Sequence, residues 1–252
     1  MRIRNMGMWA LALSAGFAAT EPAAAAGCTN ASFEGTYGVQ STGSNSTGQP
    51  NAGLYQMTAD GAGNITAIGQ QSAGGTIQAV NVSGAYEIGK TCTGTITFGS
   101  PPSAATHLNI ALDAANSEFQ LIRTDSGWTQ TGEGFALGVG ICGLSGKVAT
   151  YAKSVSGHNV GSVKEPVAIV GRLILDGKGN ASATDTFSEN GVVATRKLKG
   201  TYTANSDCTG TAQIKANGTT YNFAALAVSA GKKLLLLETD ANTVISGKAT
   251  KQ

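Results

Sequence analysis

Beyond residue 26, apolar and polar positions alternate with a period of two over long stretches of the chain. Leu108, Ile110 and Leu112 are separated by Asn109 and Ala111, the pattern of a strand that turns one face to a core. The runs 118–124 and 234–239 read as the strands that follow such segments. Asp60-Gly-Ala-Gly-Asn64 lies between two strand-like runs and predicts a hairpin turn whose glycines adopt positive φ. Gly and Thr punctuate the rest of the chain every 8–12 residues or so, and no segment sustains a capped helical period. One run breaks the alternation. Leu234-Leu-Leu-Leu237 is apolar on both faces, so both faces need cover: one by its own core, the other by a neighbouring unit.

The pattern occurs twice. Asp60-Gly-Ala-Gly-Asn64 returns as Asp176-Gly-Lys-Gly-Asn180, Gly84-Ala-Tyr86 as Gly200-Thr-Tyr202, and Cys92-Thr-Gly-Thr95 as Cys208-Thr-Gly-Thr211, each 116 residues later. Thr124-Asp125 returns as Thr239-Asp240 at 115, and Cys28 and Tyr37 as Cys142 and Tyr151 at 114. Ordered matches at a nearly constant offset mark a tandem duplication. The drift in offset places a longer loop near 41–52 of the first copy's counterpart and a shorter one opposite 113–117. Residues 27–138 form module 1 and residues 139–252 module 2. Each module is expected to hold about seven to nine short antiparallel strands. The predicted fold is all-β: a tandem duplication of a small antiparallel β-barrel, since closure removes edge strands, with a sandwich as the alternative.

Residues 1–26 read as a signal peptide. Arg2 and Arg4 precede the short apolar run 8–20, and Ala23 to Gly27 offer a small-residue cleavage site. The run is too short to span a bilayer. The predicted location is secreted or periplasmic, with lipid anchoring at Cys28 the minority alternative. Four cysteines in an exported chain suggest two disulfides. Four cysteines allow three connectivities, of which the duplication favours Cys28–Cys92 with Cys142–Cys208, because each module then inherits its own bond.

The formal charge of +2 conceals a division. Module 1 holds two basic residues against seven acidic ones, and module 2 thirteen against seven. Opposite fields attract, so the modules are expected to dock on each other, or chains to self-associate head to tail. Arg196-Lys-Leu-Lys199, taken with Lys232 and Lys233, reads as one basic patch able to face an anionic polymer or lipid. The basic residues lack interleaved aromatics, which argues against nucleic acid. Scarce aromatics, at 6%, argue against an outer-membrane barrel with its girdles.

No catalytic, metal or cofactor signature emerges. Gly138-Val-Gly-Ile-Cys-Gly143 falls between the modules rather than between a strand and a helix, where a dinucleotide motif belongs. His107 and His158 do not recur between copies. The Asp60 and Asp176 turns supply too few oxygens for calcium. Three residues are left as candidate ligand contacts: Asp125 and Asp240, which recur at the end of a strand near a barrel mouth, and Trp128, which faces Thr243 in the repeat. A turn cap is the competing role for the two aspartates.

The segment Gly200-Thr-Tyr-Thr-Ala-Asn-Ser-Asp-Cys-Thr-Gly-Thr211, with Leu237-Glu-Thr-Asp240 downstream, resembles a duplicated pattern in exported proteins of soil and environmental bacteria. That resemblance implies export and duplication, and it carries no assigned activity over to this chain. In outline the barrels are similar to lipocalin-like and allene-oxide-cyclase-like barrels, a likeness that does not fix function. Three functions are expected to compete. The first is a non-enzymatic barrel that holds a small apolar ligand. The second is a cell-surface or matrix interaction protein that uses the charge division. The third is a barrel isomerase that uses a lumen carboxylate.

Overall fold

The computed structural model describes residues 27–99, 105–138, 142, 146 and 148–252. The leader therefore lies outside the described residues, as does most of the Gly138–Gly143 motif. The fold is all-β and consists of two closed eight-stranded antiparallel barrels.

The first barrel contains β1 (Gly35–Asn45), β2 (Pro50–Ala59), β3 (Asn64–Ala73), β4 (Thr76–Ile88), β5 (Thr93–Phe98), β6 (Thr106–Leu112), β7 (Glu118–Arg123) and β8 (Trp128–Ala136). The second contains β9 (Ala149–Val160), β10 (Lys164–Leu175), β11 (Asn180–Glu189), β12 (Val192–Ala204), β13 (Thr209–Ala216), β14 (Thr219–Val228), β15 (Lys233–Glu238) and β16 (Thr243–Lys251). Within each barrel, each strand pairs with the next in sequence. Closure is made by β8 on β1, from Tyr37 opposite Ala136 to Asn45 opposite Trp128, and by β16 on β9. Neither barrel keeps an open edge, as the alternation and duplication predict; the sandwich is not formed.

Sequence chemistry explains the local geometry. In both Asp-Gly-x-Gly-Asn hairpins the aspartate accepts hydrogen bonds from two backbone N–H groups and from the asparagine side chain, while both glycines take positive φ. These bonds, led by the Asn64 side chain, hold the Asp60 carboxyl down at about 2. The two disulfides join Cys28 to Cys92 and Cys142 to Cys208. With its sulfur in a disulfide, Cys28 has none left for a lipid anchor. Two such bonds point to an oxidising, extracytoplasmic compartment. No helix among the described residues is long and apolar enough to cross a membrane.

The barrels lie side by side, with β1, β2, β3, β7 and β8 of the first against β14, β15 and β16 of the second. At one end, Lys233 pairs with Glu118 at 2.8 Å and the backbone N–H of Ser229 donates to Ala136 O. At mid-height, the Gln40 amide donates to Leu236 O and Gly247 O, both at 2.9 Å, and Lys248 pairs with Glu133 at 2.8 Å. At the other end, Ser72 Oγ donates to Thr243 O and the Asn242 N–H to Gly75 O. The four leucines of β15 are all buried. Leu234 and Leu236 line the barrel, while Leu235 and Leu237 turn outward into one apolar cluster with Ala52, Leu54, Phe135 and Leu137. Gly38 permits this approach: a Cβ there would sit 2.3 Å from Val228 Cγ1.

Candidate functional site in the barrel lumens

The two lumens are filled differently. A short 3-10 helix, Asn30–Phe33, closes one end of the first barrel and delivers Phe33 into its core. The Phe33 ring stacks on Tyr37, with centroids 4.9 Å apart, and meets Tyr86 and Phe119 edge-on. Gly134 makes room for Phe119, whose ring would lie 2.1 Å from a Cβ at that position. Farther along, Gln130 Nε2 donates to Ser41 Oγ and Asn51 Oδ1, each at 3.0 Å. This lumen is thus aromatic at one end and polar toward the other, where Arg123 enters from β7.

The second lumen carries charge. Inward positions of β9, β11 and β12 place Lys153, Asp185 and Arg196 together. Lys153 Nζ lies 2.6 Å from one Asp185 oxygen and Arg196 Nε 3.0 Å from the other. The Asp185 side chain is fully buried, and both cations are nearly so. The Arg196 guanidinium also lies 4.3 Å from the Phe187 ring centroid. Buried charges survive only when paired and hydrogen-bonded, and this triad meets that condition.

Glu238, on the inward face of β15, differs. It is 4% exposed, and no hydrogen bond to its carboxyl is found among the described residues. Burial pushes that carboxyl up to about 7, and Asp240 and Glu189 add to the rise against the opposing pull of Arg196 and Lys153. A carboxyl that titrates near neutrality inside a barrel has the character of a general acid or base, but a reacting molecule also needs space beside it. The cavity of this barrel measures about 50 Å³ and is lined by Lys153, Leu173, Tyr202, Ile214, Leu234 and Leu236, with Glu238 outside its lining. Tyr202 and Leu234 are the counterparts of Tyr86 and Phe119, so the cavity occupies the region that Phe33 fills in the first barrel.

The residues singled out from sequence sit elsewhere. Asp125 accepts from His107 Nδ1 and Arg123 Nε, each at 2.7 Å, and from the His107 backbone N–H. Burial alone would raise its carboxyl, but the bonds from His107 and Arg123 hold it below its ordinary value. Asp240 in the other copy accepts from the Asn222 N–H at 2.8 Å and from the Asn222 side chain at 2.5 Å. Both aspartates therefore cap a neighbouring strand. Trp128 lies under the Arg123 guanidinium, 3.9 Å from ring centroid to Cζ. His158 lies on β9, where burial and Lys164 lower its pKa. The structure does not bring Asp125, Asp240 and Trp128 into one site, since Asp240 belongs to the other barrel. Sequence reading missed Lys153, Asp185, Arg196 and Glu238. Parity could have found three of them: Ala149, Tyr151 and Val155 bracket Lys153, Ala181, Ala183 and Phe187 bracket Asp185, and Leu198 follows Arg196, all on inward positions.

The basic run also divides. Arg196 points into the lumen, Lys197 and Lys199 point outward, and Lys233 is taken by Glu118. The single patch of five cations read from the sequence is not formed. No group of three or more potential metal ligands occurs among the described residues. No protein-family model matches this chain, and no curated protein matches it.

Proposed function

We propose that this chain is a non-enzymatic interaction protein, secreted or periplasmic, that works at the cell envelope through its outer surface. The observation that carries this reading is the filling of the lumens. Small-molecule sites occupy roughly 300–1,000 Å³, whereas the second barrel encloses about 50 Å³ and the first is plugged by Phe33 and its three aromatic neighbours. The cavity of the second barrel is far smaller than such a site, which weighs against isomerase chemistry at Glu238. The closed pairing of all sixteen strands suits a rigid platform that presents hairpins.

A second reading, capture of a small apolar ligand, is favoured by one observation. The cavity of the second barrel is walled mainly by Leu, Ile, Val, Ala and aromatic side chains. Native mass spectrometry of the protein recovered from its own export route separates the two. The expected result is a native mass equal to the denatured mass. A native excess of a few hundred daltons, lost on denaturation, would overturn the surface reading and establish the ligand reading.

A further inference from the structure

Four rows on one outer face of the second barrel together carry cations and no carboxylate. Across β10, β11 and β12 the outward residues form rows: Ala168–Ser188–Val193, then Val170–Thr186–Thr195, then Arg172–Thr184–Lys197. The next row is Ile174–Ser182–Lys199–Lys215, extending onto β13. Arg172, Lys197, Lys199 and Lys215 are exposed, and among the described residues none of the four is in an ion pair. Lys199 and Lys215 stand directly opposite each other, an arrangement that is unfavourable for like charges unless an anion lies over them. The first barrel has Gln56, Asn81, Ser83 and Gly99 at the corresponding positions. The patch is therefore peculiar to the second copy.

The same face ends in aliphatic side chains. Val163, Val170, Val192 and Val193 are 67%, 63%, 70% and 65% exposed. Val192 and Val193 sit at the tip of the β11–β12 hairpin. Pairing of β12 with β13 begins only at Lys199, so the tip projects about 20 Å beyond that neighbour. The matching hairpin of the first barrel is covered, with Ser72 and Gly75 bonded to Thr243 and Asn242. Val170 corresponds to Leu54, which is buried in the contact between the barrels.

We infer that this face seats the protein on an anionic lipid surface, an inference that rests on the envelope reading above and names its partner. The valines at the hairpin tips enter the boundary between headgroups and acyl chains, and the basic rows behind them lie against lipid phosphates. Combining an aliphatic edge with a basic belt is how peripheral proteins hold such a surface. No aromatic side chain stands among these rows to stack on bases or sugars, which favours lipid over a soluble polyanion.

The test is co-sedimentation of the mature protein with phosphatidylglycerol-rich vesicles and with pure phosphatidylcholine vesicles. Binding is expected only to the anionic vesicles and is expected to fall steeply at about 0.5 M salt. Lys197→Glu with Lys199→Glu, and separately Val192→Asp with Val193→Asp, should each weaken binding roughly tenfold or more, with unchanged circular dichroism showing that the variants fold. Lys251→Glu, remote from the face, should bind as the parent does. Wild-type binding by both double variants overturns the proposal. So does equal competition by soluble dextran sulfate, which would mean a polyanion site, or sedimentation without vesicles, which would mean a second copy. Failure on vesicles with retained binding to purified cell-wall polysaccharide removes the lipid partner and leaves the envelope reading. Failure on both removes both.

Discussion

At the scale of single residues, the two buried acids of the second lumen behave oppositely. Asp185 is neutralised by two cations in contact. Glu238 shares the same space without a hydrogen-bonding partner among the described residues, and its carboxyl is raised from an ordinary 4.5 to about 7. The folded protein therefore holds this proton more tightly than the unfolded chain does. The group weakens the fold as pH rises from about 4.5 through about 7, by roughly 3 kcal/mol once ionised. Glu238→Gln is expected to match the parent near pH 4 and to exceed it at pH 8 by about 2–3 kcal/mol, measured by urea denaturation across that range. A Gln variant no more stable than the parent at pH 8 would mean that the carboxyl is solvated in solution.

At the scale of elements, the end of the first barrel is held by a 3-10 helix of four residues and one disulfide. So short a helix has no stability of its own. It is retained because Phe33 is fully buried among three rings and because Cys28, two residues before it, is tied to Cys92. Phe33→Ala should cost about 3–5 kcal/mol in a denaturant titration with the disulfides intact. A loss below about 1 kcal/mol would show that the neighbouring rings collapse into the gap. Element length also responds to the duplication. The drift in offset from 114 to 116 becomes two longer strands, β9 and β10, rather than a longer loop, while the β14–β15 turn is one residue shorter than its counterpart.

At the scale of the whole molecule, the charge division aligns the barrels more than it binds them. Lys233–Glu118 and Lys248–Glu133 are partly exposed pairs, each worth at most about 1 kcal/mol. The apolar seam of Leu235, Leu237, Val228, Leu54 and Phe135 supplies the larger share, at about 2 kcal/mol for each large side chain fully buried. Gly38→Val should therefore act on the arrangement rather than on either barrel. The added side chain meets Val228, so the expected outcome is a loss of about 1–3 kcal/mol and a larger radius of gyration in solution scattering, with strand content unchanged. An unchanged radius would mean that the seam repacks around the new side chain.

Much of this organisation was legible in the sequence, for a physical reason. Strand alternation, turn chemistry and duplication are local or periodic, so the barrels, the Asp-Gly-x-Gly-Asn hairpins and the disulfide partners could be read from spacing. The double-faced Leu234–Leu237 run even announced the contact between modules. The second lumen was legible only in part: parity marks Lys153, Asp185 and Arg196 as inward but not which of them meet. Lys153, Asp185 and Arg196 stand in one register row across β9 to β12, with Gly171 between, but Glu238 reaches them from β15 only when β16 closes on β9, and adjacent residues such as Arg196 and Lys197 are sent to opposite sides of the wall. Asp125 and Asp240 drew attention because they recur, yet recurrence is equally the mark of a cap that both copies need. Spacing along a chain determines which side of a sheet a residue takes, whereas the curvature and closure of the sheet decide which charges meet.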